Sequence, residues 1–288
     1  MHLIIILAAL AVERFTTVGR FFQNKEWVST YLGRIQQAMG KTSLWKDGLP
    51  IVCWILPMVL VTAILQFFLN HIFHGVLGYL FNFAVLLYCI GPSDLKQYFA
   101  DYLTHKDSPE ALKAAKNLGV LSPQSHGHPK DLSQRVSEKI LLMANTHIFA
   151  ILLAYLLFGA WGVVLYKFSF LLSQEGEEEH TLVTPYRSST HAWFEILNWL
   201  PVRVTALLYA LAGSFVGCFH LWRTMLLKKI DENEALLKAC GFAAVLGAKE
   251  SLENLPEGIE ESSLQLVERS LMIVLALIAL MTLVAWLH

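Results

Sequence analysis

Charge is scarce in this chain. Asp, Glu, Lys and Arg together make up 16% of 288 residues, against 55% hydrophobic residues, and the mean hydropathy is +0.50. A soluble globular domain carries about 25% charged residues, so a two-domain soluble architecture is excluded, although the length alone would allow it. The apolar surface needs a bilayer to cover it. The net charge of -1 leaves no positive surplus for a nucleic-acid partner. Cysteine is also sparse: Cys53, Cys89, Cys218 and Cys240 are widely spaced and form no CxxC pair, so neither a disulfide framework nor a zinc site follows. No Lys or Arg precedes Arg14, and without a basic start the N-terminus does not read as a cleaved secretory signal. Walker A, GxGxxG, HExxH and GxSxG motifs are all missing.

Long uncharged runs are what the chain does have. A hydrocarbon core of about 30 Å takes about 20 helical residues. Leu49 to Leu69, Ile72 to Gly91 and Ser270 to Leu287 meet that length. Only Asn70 and His71 separate the first two, which predicts an antiparallel helical hairpin. Ile140 to Leu172 holds one charge, Lys167, in 33 residues, too long for one straight span. The Gly159-Ala160-Trp161-Gly162 step is placed to break it into a span over 140–158 and a half-span over 163–172. Val204 to Trp222 is also uncharged, but Gly213, Ser214, Gly217 and His220 leave it either spanning or partly embedded. The apolar start, His2 to Val12, suits a tilted or interfacial helix. The predicted fold class is therefore all-α, a polytopic helical integral membrane protein forming a single membrane domain with helical polar loops over 92–139 and 222–269.

Residues 13–48, 92–139 and 222–269 hold 19 of the 22 Lys and Arg, so the positive-inside rule makes these stretches cytoplasmic. Residues 173–200 carry one Arg against five Glu, and charge alone puts them outside. Within the loops, Ser108-Pro109-Glu110 reads as a helix start for Glu110 to Leu118, Ser122 to Lys130 as a linker, and Asp131 as the opening of a helix that runs into the membrane. Asp231 to Ala248 reads as another helix, separated from the last span by the acidic stretch around Pro256.

Ionisable groups inside apolar segments are costly and usually have a partner or a function. Lys167 either snorkels along its stem or pairs with a carboxylate. Asn145 and His147 open the fourth segment, where hydrogen bonding between helices is the plain reading. Asn198-Trp199-Leu200-Pro201-Val202-Arg203 places Pro201 as a helix start with Arg203 just behind it. A guanidinium at the positive end of a helix dipole calls for a bound anion or a carboxylate partner, Glu13 or Glu195. The candidate binding residues are Arg203, Asn145, Asn198, Glu13 and Lys167, with Arg203, Asn145, Asn198 and Glu13 expected to share a pocket for an anionic group. No catalytic residue, cofactor or metal is expected. His126-Gly127-His128 and the pair His71 and His74 each lack a third ligand. The expected partners are the bilayer and an anionic small molecule.

The run from Asn198 to Arg203, followed by Leu207-Leu208-Tyr209-Ala210-Leu211-Ala212-Gly213, resembles the AmpE family. Glu13-Arg14-Phe15, Leu87-Tyr88-Cys89-Ile90-Gly91 and Gly159-Ala160-Trp161-Gly162 match it in order and spacing, so the likeness covers nearly the whole chain. It implies a bacterial inner-membrane protein with a regulatory role linked to cell-wall stress and β-lactamase induction. AmpE is similar in turn to the CobD/CbiB membrane ligases of cobalamin biosynthesis. Those enzymes carry an N-terminal Gly-Asp-Pro and a Glu-Asn-Thr-x-Asp-Gly stretch. Here the first is missing and the second reads Ala144-Asn145-Thr146-His147-Ile148-Phe149, so the acidic groups are gone and binding without catalysis is implied. The same resemblance favours a cytoplasmic face for 173–200, with 163–172 re-entering. A ligase with an altered site, or a small transporter built on the broken fourth segment, are the alternatives.

Overall fold

The computed structural model describes residues 2–15, 26–39, 49–71, 76–90, 99, 102–104, 129–177, 186–226, 230–247, 256 and 258–287. The expected helix over 110–118, the 122–128 part of the linker with its two histidines, and His74 lie outside the described residues. No strand occurs among the described residues. Among the described residues, four helical stretches are long and apolar enough to cross a membrane: Ile51–His71, Leu132–Phe158, Arg187–Ala212 and Ile259–Val284. The chain is an all-α polytopic membrane protein. It divides into two compact units, one of residues 1–91 and 150–199, the other of 92–149 and 200–288.

The first unit holds α1 (His2–Phe15), α2 (Glu26–Met39), α3 (Leu49–His71), α4 (Val76–Ile90), α6 (Ala150–Phe158), α7 (Ala160–Glu177) and the first half of α8 (Arg187–Ala212). Helices α3 and α4 pack on each other, as expected of a hairpin, and both pack on α7, but α4 has 15 residues, shorter than the span expected over 72–91. Only 17% of the apolar window of α3 is buried. Leu56, Leu60, Val61, Ile64, Phe67 and Phe68 are exposed, as suits a helix facing lipid. Its buried stripe, Ile51, Trp54 and Ile55, meets Leu32 of α2 and Phe168 and Leu172 of α7.

The break expected near Gly159 falls there: α6 stops at Phe158, α7 starts at Ala160, and Gly159 has φ 73°. A helix start frees N–H groups that have no partner within the helix. Gln66 of α3 supplies one acceptor, its Oε1 taking the Trp161 N–H at 3.2 Å. A Cβ on Gly159 would stand 2.6 Å from Gln66 Nε2, so glycine serves both the left-handed backbone and the close approach.

The second unit holds α5 (Pro129–Ala144), a π-helical turn over Asn145–Phe149, the second half of α8, then α9 (Phe215–Met225), α10 (Asn233–Leu246) and α11 (Ile259–Leu287). Its core joins Ile140, Leu141 and Ala144 with Val202, Ala206 and Tyr209, Leu236 and Cys240, and Leu266 and Val267. The helix expected over Asp231 to Ala248 is α10, which ends on Gly247 with φ 80° and a Gly247 N–H to Ala243 carbonyl bond of 3.1 Å. The last helix starts earlier than the apolar run from Ser270, at Ile259, with Glu260 and Glu261 in its first turn, where carboxylates complement the dipole.

Two expectations change around residue 200. Pro201 does not start a helix: it lies inside the 26-residue α8, which begins at Arg187. The run Val204 to Trp222 is divided, because α8 ends at Ala212 and α9 begins at Phe215. At the junction the Ser214 N–H donates to the Ala244 carbonyl at 2.9 Å. A Cβ on Gly213 would stand 2.4 Å from the same oxygen, so backbone of α10 takes the place of a side chain there.

Candidate functional site

Arg203 is 4% exposed on the α8 segment of the second unit. A buried guanidinium has to place its N–H groups on acceptors. Its Nε donates to the Leu226 carbonyl at 3.1 Å, and its Nη1 donates to Asn233 Oδ1. Leu226 is the C-cap of α9 and Asn233 the first residue of α10, so one side chain fastens both ends of the connection between those helices. The Trp222 indole N–H closes the arrangement from α9, donating to the Arg203 carbonyl at 2.9 Å. Arg203 therefore does not stand at the positive start of a helix, the place expected from Pro201. With no helix start at Pro201, the guanidinium meets the C-terminal, negative end of α9, which a cation complements.

Asn145 opens the π turn and is 1% exposed. Its Oδ1 accepts from Thr205 Oγ1 at 2.8 Å, and Thr205 is fully buried. Thr205 and Arg203 are two residues apart on α8, about 200° around a helix at 3.6 residues per turn. Asn145 and Arg203 are thus anchored on opposite sides of that helix. One turn further on, the Tyr209 hydroxyl donates to the Leu141 carbonyl at 2.9 Å, next to the π turn, and its ring meets Phe149 edge-on with centroids 6.1 Å apart. Thr146 Oγ1 bonds back to the Leu142 and Met143 carbonyls, each at 3.3 Å. Ala144 and Phe149 are core residues and Ile148 packs against them. The positions that carry carboxylates in the Glu-Asn-Thr-x-Asp-Gly pattern are here filled by Ala144 and Ile148.

The remaining candidates belong to the first unit. Asn198 is 5% exposed, and its Oδ1 accepts from the Tyr166 hydroxyl at 3.0 Å. Lys167 is half-buried, with Nζ 5.8 Å from the Phe170 ring centroid, a cation–π geometry consistent with a snorkelling stem. Glu13 lies in α1, and its side chain is outside the described residues. The structure thus brings Arg203 and Asn145 into one unit, and Glu13, Lys167 and Asn198 into the other. His71 uses Nδ1 to donate to its own helix, at 2.8 Å to the Phe67 carbonyl.

Several polar residues escaped the sequence reading. Thr205 and Asn233 look like surface or cap residues by type, and nothing in their spacing ties them to Asn145 and Arg203. Tyr102 and Glu260, 1% and 0% exposed, meet at 3.4 Å from hydroxyl to Oε1. Burial first, and the Glu260 carboxylate second, push the Tyr102 phenol up to about 12. In the sequence Glu260 is one of several glutamates in an acidic stretch, and only the fold shows that this carboxylate is buried.

Comparison with known proteins places these observations. The family described as "Regulatory signalling modulator protein AmpE" matches residues 1–287. The "Protein AmpE" of Shigella flexneri is 26% identical over 242 residues, covering 77% of this chain and 78% of that protein. A "Cobalamin biosynthesis protein CobD" of Stutzerimonas stutzeri (strain A1501) is 25% identical over 194 residues, 66% of this chain and 62% of that protein. Another, of Chromobacterium violaceum, is 29% identical over 108 residues, 38% of this chain and 35% of that protein. The chain therefore spans less than two thirds of either CobD protein. No solved structure matches the chain at a significant level.

Proposed function

Because the chain belongs to the AmpE family over residues 1–287, we propose that it is a multi-pass inner-membrane regulator of β-lactamase induction, responding to cell-wall stress and not acting as an enzyme. The observation that carries the non-enzymatic part is the packing at the π turn. π turns are frequent at functional sites, and this one falls on the stretch that resembles a motif of the cobalamin ligases. Yet Ala144 and Ile148 stand where that motif has carboxylates, and they pack into or against the core. Amide formation needs an activated carboxyl and groups that stabilise developing charge, and an alanine and an isoleucine in an apolar core supply neither.

The anionic-ligand part of the reading rests on Arg203. A carboxylate or phosphate binding there would take the guanidinium from the Leu226 carbonyl and Asn233 Oδ1, since its planar fork prefers a bidentate anion to two neutral acceptors. Ligand binding would then loosen the connection between α9 and α10, which gives a regulator a way to pass on a signal.

The test uses two strains. In a host lacking its own AmpE, β-lactamase activity is measured after β-lactam exposure with and without this chain, and a difference in induction is expected. In a host lacking the cobalamin ligase, the chain should not restore cobalamin-dependent growth. Unchanged induction sinks the regulatory reading, and restored growth favours the ligase alternative.

A further inference from the structure

We propose that the second unit carries a phospholipid site in a groove where α11 passes the end of α8, with Arg269 as the partner of the lipid phosphate. The groove has a volume of about 480 Å³ and is lined by Leu211 and Ala212 of α8 and by Gln265, Glu268, Arg269, Met272 and Ile273 of α11. That size lies within the roughly 300–1,000 Å³ of small-molecule sites.

The five α11 residues follow the spacing i, i+3, i+4, i+7, i+8, which is one face of a helix. Along that face the chemistry changes in one step. Gln265, Glu268 and Arg269 are polar or charged, and from Ser270 the chain runs uncharged to Leu287. Helix α11 has 29 residues, about 44 Å at 1.5 Å per residue. It exceeds the hydrocarbon thickness by more than two turns, so its charged first part extends into the headgroup region while Met272 and Ile273 enter the acyl region.

The groove therefore has a polar end at headgroup depth and an apolar end below it. Met272 is 68% exposed and Leu211 49% exposed, apolar surface open to an acyl chain. At the polar end Arg269 is exposed and offers a planar donor fork suited to a phosphodiester. The Gln265 amide can serve the glycerol or ester oxygens. Glu268, the opposite charge beside it, is already engaged within the protein. An amphiphile with a phosphate joined to acyl chains fits this order of groups, whereas a free anion would use only one end.

The experiment titrates the full-length protein, purified in dodecyl maltoside, with dioleoylphosphatidylglycerol, and reads bound lipid by native mass spectrometry. Arg269→Ala and Met272→Trp are each expected to weaken binding at least tenfold, the first by removing the phosphate partner and the second by filling the apolar end. Arg223→Ala, which removes an exposed arginine elsewhere in the same unit, is expected to bind like the wild type. The deacylated headgroup, glycerophosphoglycerol, is expected not to compete at concentrations equal to the lipid. Wild-type affinity in Arg269→Ala or in Met272→Trp overturns the proposal. So does an equal loss in Arg223→Ala, which would mean diffuse attraction to charge, or full competition by the headgroup, which would mean an anion site without a lipid groove.

Discussion

Replacing Arg203 by alanine removes a buried side chain that fastens the end of α9 to the start of α10. At least two hydrogen bonds disappear, to the Leu226 carbonyl and to Asn233 Oδ1, and both come from a cation. Each such bond contributes about 1.5–3 kcal/mol, so the expected loss for Arg203→Ala is about 3–6 kcal/mol, a large share of the ~5–15 kcal/mol that holds a typical folded protein together. Arg203→Lys keeps the charge but presents one donor point in place of a fork, and should lose about half as much, about 1.5–3 kcal/mol. Asn233→Ala removes one acceptor and should cost a similar amount. The decisive quantity is the coupling in the double-mutant cycle of Arg203 and Asn233, expected at about 1.5–3 kcal/mol, because removing either partner already breaks their shared bond. The assay is reversible unfolding of the purified protein in mixed micelles of dodecyl maltoside and sodium dodecyl sulfate, followed by far-ultraviolet circular dichroism. Stability of Arg203→Ala within about 0.5 kcal/mol of wild type would refute the clamp, since ordinary surface substitutions fall in that range. Additive effects of the two single variants would refute the pairing.

Thr205→Val conserves shape but leaves Asn145 Oδ1 without the Thr205 hydroxyl, and is expected to cost about 1–3 kcal/mol in the same unfolding assay; a neutral result would mean that the bond does not position the π turn. Gly213→Ala should lower stability far more than Gly241→Ala, because the first Cβ meets a backbone oxygen at 2.4 Å and the second meets only the Leu141 side chain, at 2.5 Å. Equal melting temperatures for the two would contradict the close approach at Gly213. Tyr102 is an acid whose pKa rises to about 12 on folding from about 10 unfolded. Its contribution to stability is therefore complete below pH 10 and is lost as pH rises through about 12. Absorbance at 295 nm that differs between wild type and Tyr102→Phe only near or above pH 12 is the expected outcome, and a phenolate appearing near pH 10 would contradict it. Cysteines introduced at Ser122 and Ser251 are expected to resist membrane-impermeant maleimide in intact cells, as cytoplasmic positions would; an exposed Ser188→Cys decides the side of residues 173–200.

How much of this was legible in the residues depends on which chemical groups carry each feature. The hairpin of α3 and α4 and the break at Gly159 follow from hydrophobic run length and from a glycine step, and both properties belong to side chains that the sequence spells out. The start of α11 at Ile259 was missed: Glu260 and Glu261 read as the end of an acidic break before the apolar run from Ser270, whereas they form the first turn of the helix. The first half of α8 was hidden because Arg187, Thr190, Glu195 and Asn198 read as a polar connection. Its helix stands because neighbours bury those polar groups: Thr190, Glu195 and Asn198 are each no more than 6% exposed, and Asn198 is bonded by Tyr166. Once that helix was missed, Pro201 became an apparent helix start, and the charge argument for Arg203 took the wrong sign. Proline in mid-helix forgoes one backbone bond, a cost that packing can offset, so the residue type alone does not decide between start and interior. The acceptor at Leu226 was beyond sequence reasoning altogether. Every residue carries the same carbonyl, and only the end of α9 leaves this one exposed to a donor. A buried arginine in a membrane helix therefore announces from sequence that it has a partner, while the identity of a backbone partner is written only in where the helices end.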